Sequence, residues 1–171
     1  MAEVSAPVKL AQDSLRHYLE TGQKIPIPKE LPPELANRAG AFVSLKKSGQ
    51  LRGCIGTFKP TQPNLAAEII EMAISAGIHD PRFEPVRLDE LPDIEFSVDI
   101  LSAPEKVDSI KELDPQKYGV IVKRGYRSGL LLPALEGVDT VEEQIGIAMQ
   151  KAGIAPDQEI ELFRFFVTRY H

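Results

Sequence analysis

Ala41-Phe42-Val43-Ser44-Leu45-Lys46, then Lys47-Ser48-Gly49-Gln50, then Leu51-Arg52-Gly53-Cys54-Ile55-Gly56-Thr57-Phe58 is the stretch on which the fold turns. Two runs of strand formers stand on either side of a break of hairpin length, and the break contains a glycine available for positive φ. The spacing predicts a β-hairpin whose second strand is Leu51–Phe58. That strand carries the chain's only cysteine between two glycines, with an arginine just ahead of them. Glycine inside a strand costs stability and marks a bulge or a close approach of the backbone to something else. Function therefore attaches first to this octapeptide.

Working outward, Val8, Ala11, Leu15, Tyr18 and Leu19 recur at helical spacing, with Gly22 placed as a left-handed cap. Ile25–Pro33 contains four prolines, which remove amide donors and fix φ, so it reads as loop or extended cover. After the hairpin, Pro63 or Asn64 opens a second helix on Leu65, Ile69, Met72, Ala73 and Ala76, with Gly77 as its expected stop. Asp80-Pro81-Arg82-Phe83-Glu84-Pro85 reads as a rigid connector. Ile94, Phe96, Val98 and Ile100 alternate with Glu95, Ser97 and Asp99, the pattern of a strand with one buried and one wetter face.

Tyr118–Lys123 and Gly129–Leu132 read as another hairpin around Arg124–Ser128, whose loop is a place for a ligand. Thr140-Val141-Glu142-Glu143 fits a capping box before a helix ending at Gly153, and Ile160–Tyr170 reads as one closing strand. Strands come mostly as hairpins with helices inserted between them. That order predicts an α+β fold with a mainly antiparallel sheet and flanking helices in a single domain spanning 1–171.

Composition narrows the function classes. Twenty-five acidic and 20 basic residues give a net charge of −5, which offers no long-range attraction to phosphate backbones or anionic membranes. Nucleic acid and membrane are disfavoured as partners. One cysteine forms no internal disulfide, no leading apolar segment appears, and no apolar run approaches the roughly 18 residues of a membrane span. The cytoplasm is the expected compartment.

Several blocks in a fixed order, Leu51–Phe58, Asp80–Pro85 followed by Asp89-Glu90-Leu91, Tyr118-Gly119-Val120, Leu132-Pro133 and Thr168-Arg169-Tyr170, resemble the AMMECR-one domain over nearly the whole chain. The resemblance implies a two-lobed α+β fold with the signature near a cleft between lobes. It also implies company: a Memo-like protein and a radical S-adenosylmethionine (SAM) protein, sometimes as fused domains, in a system of AmmeMemoRadiSam type. It carries no settled activity and leaves any cofactor unknown. The chain departs from the animal pattern at Gly125–Gly129 and at Leu130–Ala134.

Chemistry at the signature has three readings. Cys54 is the candidate catalytic nucleophile, because a thiol becomes useful when a cation stabilises its thiolate, and Arg52 lies two residues away on the same strand. Alternatively, the main chain from Arg52 through Gly53, Cys54, Ile55 and Gly56 to Thr57, with Asp80 and Arg82 from the connector, forms a wall that binds a small anion. The third reading is structural: a packed cysteine, glycines that accommodate a bulge or a crossing side chain, and an arginine that pins the connector. His17, His79 and His171 make a poor Cys–His pair, and no close-spaced ligand set signals a metal.

Overall fold

The structure is a computed structural model and describes residues 4–171. The chain divides into two compact units, one made of the chain up to Ile100 together with Thr168–His171, the other of Leu101–Val167.

In the first unit, helix α1 (Ala6–Thr21) ends on Gly22 at φ 74°, with the Gly22 amide bonded to the Tyr18 carbonyl. A short helix α2 (Pro33–Ala36) follows the proline-rich segment, its first turn entered through Pro32 and Pro33. Strands β1 (Gly40–Lys47) and β2 (Gln50–Gly56) then pair antiparallel, joined through Ser48 and Gly49, both at positive φ. The hairpin is therefore tighter than the four-residue break suggests. Helix α3 (Leu65–Ile78) starts at Asn64, whose side chain accepts from the Ala67 amide.

Gly77 does not stop α3. It lies inside the helix, where any Cβ would run into the Leu15 side chain of α1, and the cap is His79. A 3-10 helix spans Leu88–Asp93 ahead of β3 (Ile94–Leu101). Ala41, Val43 and Leu45 of β1 and Ile94, Phe96 and Val98 of β3 are buried in one core with residues of α1 and α3. By the period-two rule Ser44, Ser97 and Asp99 point to the opposite face of the sheet.

In the second unit, β4 (Glu105–Val107), β5 (Gly119–Arg124), β6 (Arg127–Leu131) and β7 (Glu161–Phe165) make a sheet in the order β4-β7-β5-β6, with antiparallel pairing throughout. Helix α4 (Val141–Ala152) covers it. The Thr140 hydroxyl accepts from the Glu143 amide and also meets the Glu143 carboxylate, and Gly153 closes the helix at φ 71°.

The closing strand is two strands. After β7 the chain breaks at Phe166 and β8 (Val167–Tyr170) joins the other sheet, whose order is β2-β1-β3-β8. A run of β-formers signals extended backbone but not a change of sheet. Both units use one device: a hairpin is followed by a helix, and a glycine in the second strand lies beneath a carbonyl of that helix. A Cβ at Gly53 would collide with the Ala76 carbonyl, and one at Gly129 with the Ala148 carbonyl.

Candidate functional site

β2 is an edge strand, and an edge exposes unpaired amides and carbonyls. Here the connector closes part of it with side chains. The Cys54 amide donates to Asp80 Oδ2 at 3.0 Å, and Arg82 Nη2 donates to the Cys54 carbonyl at 3.3 Å. Asp80 in turn accepts from the Arg82 amide at 3.1 Å, from Nε at 3.0 Å and from Nη2 at 2.7 Å. The Asp80–Arg82 pair thus takes the place of a neighbouring strand for one residue.

Because the Cys54 amide and carbonyl point outward, Cys54 and its cross-strand partner Ser44 form a non-hydrogen-bonded pair, the kind that brings side chains closest. Accordingly Cys54 Sγ lies 3.1 Å from Ser44 Oγ, and the cysteine is half-buried. No imidazole or amine contacts the sulfur among the described residues.

Arg52 goes elsewhere. Leu45 pairs with Gly53 but Lys46 pairs with Leu51, so Arg52 is the extra residue of a β-bulge. Its Nη1 donates to the Glu84 carbonyl at 2.7 Å, while Nε and Nη2 meet Glu90 at 3.3 and 3.2 Å. Lys47 and the Arg87 amide also reach Glu90. The guanidinium is spent on the connector, so Arg52 neither flanks the thiol nor offers free donors to an anion.

The bare faces of the two glycines are filled by the protein itself. Gly53 is buried under α3, and the Phe42 ring of its cross-strand partner lies over Gly56. Ile55 packs against the core. Thr57 Oγ1 donates to Glu68 at 2.5 Å, and Glu68, fully buried, also accepts from the Thr61 amide and hydroxyl.

On the face that carries Ser44, sequence reasoning missed two partners. Arg169 of β8 donates through Nε and Nη2 to Asp99 of β3 at 2.7 and 2.8 Å. Asp99 is buried, although alternation places it on the wetter side. Asp80 and Asp99 side chains are 2% and 4% exposed, whereas their arginines keep 55% and 45%. Hydrogen bonds donated to Asp80 and to Asp99 raise Arg82 and Arg169, respectively, above the usual arginine value against the opposing effect of burial. The strand order β2-β1-β3-β8 puts Cys54, Ser44, Asp99 and Arg169 on successive strands, with Arg82 against the β2 edge.

Acid should loosen this edge. The Arg82 side chain beside it holds the Asp80 carboxyl well below the ordinary 3.8, outweighing its burial. For Glu90 burial acts upward, but the Arg87 amide, Lys47 and Arg52 together win and bring it from 4.5 to about 2. Both carboxyls are depressed on folding, so their stabilisation is complete above pH 4.5 and is lost as pH falls through the folded values. At roughly 1.4 kcal/mol per tenfold change in proton affinity, Glu90 contributes about 3 kcal/mol. Urea midpoints are expected to drop between pH 5 and 2, and Glu90→Gln to flatten part of that drop; an equally steep drop in the variant refutes this account.

A two-unit α+β protein with two antiparallel-paired sheets, its signature cysteine on a side-chain-capped edge strand, defines the class. The AMMECR1 family profile matches residues 8–170, and the chain belongs to that family. A protein of Thermotoga maritima is 57% identical over 166 residues, covering 95% of each chain. A Clostridium acetobutylicum protein is 54% identical over 95% of this chain, but the match spans only 35% of that longer protein. The crystal structure of an uncharacterised protein from Pyrococcus horikoshii superposes at a TM-score of 0.86 with 34% identity, over 95% of this chain and 88% of that one. No helix among the described residues is long and apolar enough to cross a membrane.

Proposed function

We propose that the polar face around Cys54 binds a small anion, a carboxylate or phosphate, and that the protein is a cytoplasmic accessory domain acting beside a Memo-like protein and a radical SAM protein in modification of a macromolecule. One observation carries the ligand: Arg82 and Arg169 are each clamped through Nε and Nη2 to a buried carboxylate, and Nη1 of each has no protein partner among the described residues. Clamped guanidiniums lose little freedom on binding, and their planar forks suit oxyanions. The partnership rests on the family resemblance, with support from the Clostridium relative, in which the matching segment belongs to a longer chain.

The test is a thermal shift against phosphate, malonate and citrate. A bound anion at about 100 times its Kd adds about 2.7 kcal/mol. Arg82→Gln and Arg169→Gln are each expected to abolish most of that gain. Absence of any response in the wild type, or responses in both variants as large as the wild type's, overturns the reading. The half-buried thiol beside Ser44 supports the second reading, an enzyme with Cys54 as nucleophile; Cys54→Ser keeps anion binding on the first reading and abolishes a covalent adduct on the second. A purely structural interaction module, the third reading, predicts an intact partner complex with Cys54→Ala and with both arginine variants.

A further inference from the structure

In the second unit β5 and β6 meet at a two-residue turn, Gly125-Tyr126, and the residues that close it are both arginines: Arg124 is paired directly with Arg127. Like charges opposite one another across a hairpin are destabilising. Among the described residues no carboxylate relieves them. Their contacts are carbonyls instead, Arg124 Nη1 to Glu159 at 2.7 Å and Arg127 Nη1 to Gly153 at 2.5 Å. Those bonds orient both guanidiniums without neutralising them. Lys123, one residue earlier, does have an acidic partner opposite, Glu161.

At the tip, Tyr126 is 91% exposed, with the Arg127 guanidinium 5.8 Å from its ring centre. Tyr126, the two arginines, Gly125 and Gln158 line an open cavity of about 540 Å³. That size falls within the roughly 300–1,000 Å³ of small-molecule sites. An uncompensated cation pair suits a phosphate, an exposed aromatic face beside it suits a planar ring, and Gln158, whose Oε1 accepts from the Ala155 amide at 3.4 Å, keeps its side-chain NH₂ as a donor. A net charge of −5 opposes a long polyanion, so the occupant is small.

We infer that this turn is a nucleotide site, with the phosphates of a nucleoside diphosphate between Arg124 and Arg127 and its base on Tyr126. It is independent of the Cys54 face.

Adenosine diphosphate (ADP) titrated into the isotope-labelled full chain is expected to shift the amides of Gly125, Tyr126 and Arg127. Arg124→Gln and Arg127→Gln are each expected to weaken the affinity about tenfold, or about 1.4 kcal/mol, and Tyr126→Ala to weaken it severalfold. These side chains are exposed, so the variants fold. Arg82→Gln is expected to leave the shifts in place, which separates this site from the anion site proposed above. Adenosine without phosphate is expected to bind far more weakly than ADP. No shift at the turn at millimolar ADP, or unchanged affinity in the arginine variants, overturns the assignment. So does equal affinity for inorganic phosphate and ADP. Tighter, strongly salt-dependent binding of a single-stranded oligothymidylate than of ADP overturns it in favour of nucleic acid.

Discussion

Gly53→Ala is expected to lower stability by about 3 kcal/mol, the upper end of the usual cost of overpacking. The sign is not obvious from the strand alone. Glycine weakens a strand, so alanine at an open position would gain roughly 0.5–1 kcal/mol. At Gly53, however, the added methyl group would meet the backbone carbonyl of Ala76. A flexible side chain could turn away, whereas a carbonyl in the last turn of α3 moves only if that end of the helix moves. The clash therefore outweighs the propensity gain. Gly146 provides the control, because it lies within α4, is exposed, and has nothing within 4 Å of its missing Cβ. Gly146→Ala is expected to stabilise by about 1 kcal/mol. Urea unfolding of the two variants beside the wild type decides the matter. A Gly53→Ala protein as stable as the wild type would mean that α3 does not rest on this strand as closely as described.

The three long helices and both hairpins can be read from the sequence because their signals are local, whereas the short α2 and the 3-10 helix at Leu88–Asp93 cannot. Asn64 at the start of α3, Thr140 at the start of α4 and the period-two run of β3 each involve neighbours within a few residues. What failed depends on distant contacts. Gly77 looked like a stop because glycine ends helices, but its role is set by Leu15, which is 62 residues away along the chain. Ile160–Tyr170 looked like one strand because propensity says nothing about which sheet an extended residue joins, and Phe166 is where the chain changes sheets.

The candidate site shows the same division. Cys54, Asp80 and Arg82 were singled out, and the fold brings them into direct contact. Alternation permits contact between Arg52 and Cys54 but holds only for regular pairing; the bulge falls on Arg52, whose guanidinium goes to Glu84 and Glu90 instead. Arg169 and Asp99 are far from Cys54 in sequence, and only the sheet order β2-β1-β3-β8 brings their strands to the face that carries it. Locally Asp99 looks like Glu95 and Ser97 on the wetter face of β3, and only its burial shows that it needs a partner.

Glu68→Gln is expected to cost about 2 kcal/mol, although it changes one atom and removes a buried charge. Replacing a buried ion often does no harm when its partners are replaced with it. Here they stay. Glu68 stands in the first turn of α3 and is approached only by donors: the Thr57 hydroxyl, the Thr61 amide and the Thr61 hydroxyl. The helix N-terminus adds its own preference for negative charge. Glutamine would present an NH₂ at one of the two places where an oxygen accepts, so the Thr57 hydroxyl and the Thr61 amide and hydroxyl would have one uncharged oxygen among them, a loss of about 1–3 kcal/mol. The Thr61 amide, which reaches both carboxylate oxygens, would keep only one of them, whereas the hydroxyls can rotate. Thr57 is the penultimate residue of the signature and Thr61 lies in the loop after it, so the carboxylate fastens the exit of the signature strand to α3. A double-mutant cycle with Thr57→Val tests this account through the coupling, expected at about 1 kcal/mol. Additive effects, or a Glu68→Gln protein more stable than the wild type, would show that the carboxylate fastens nothing.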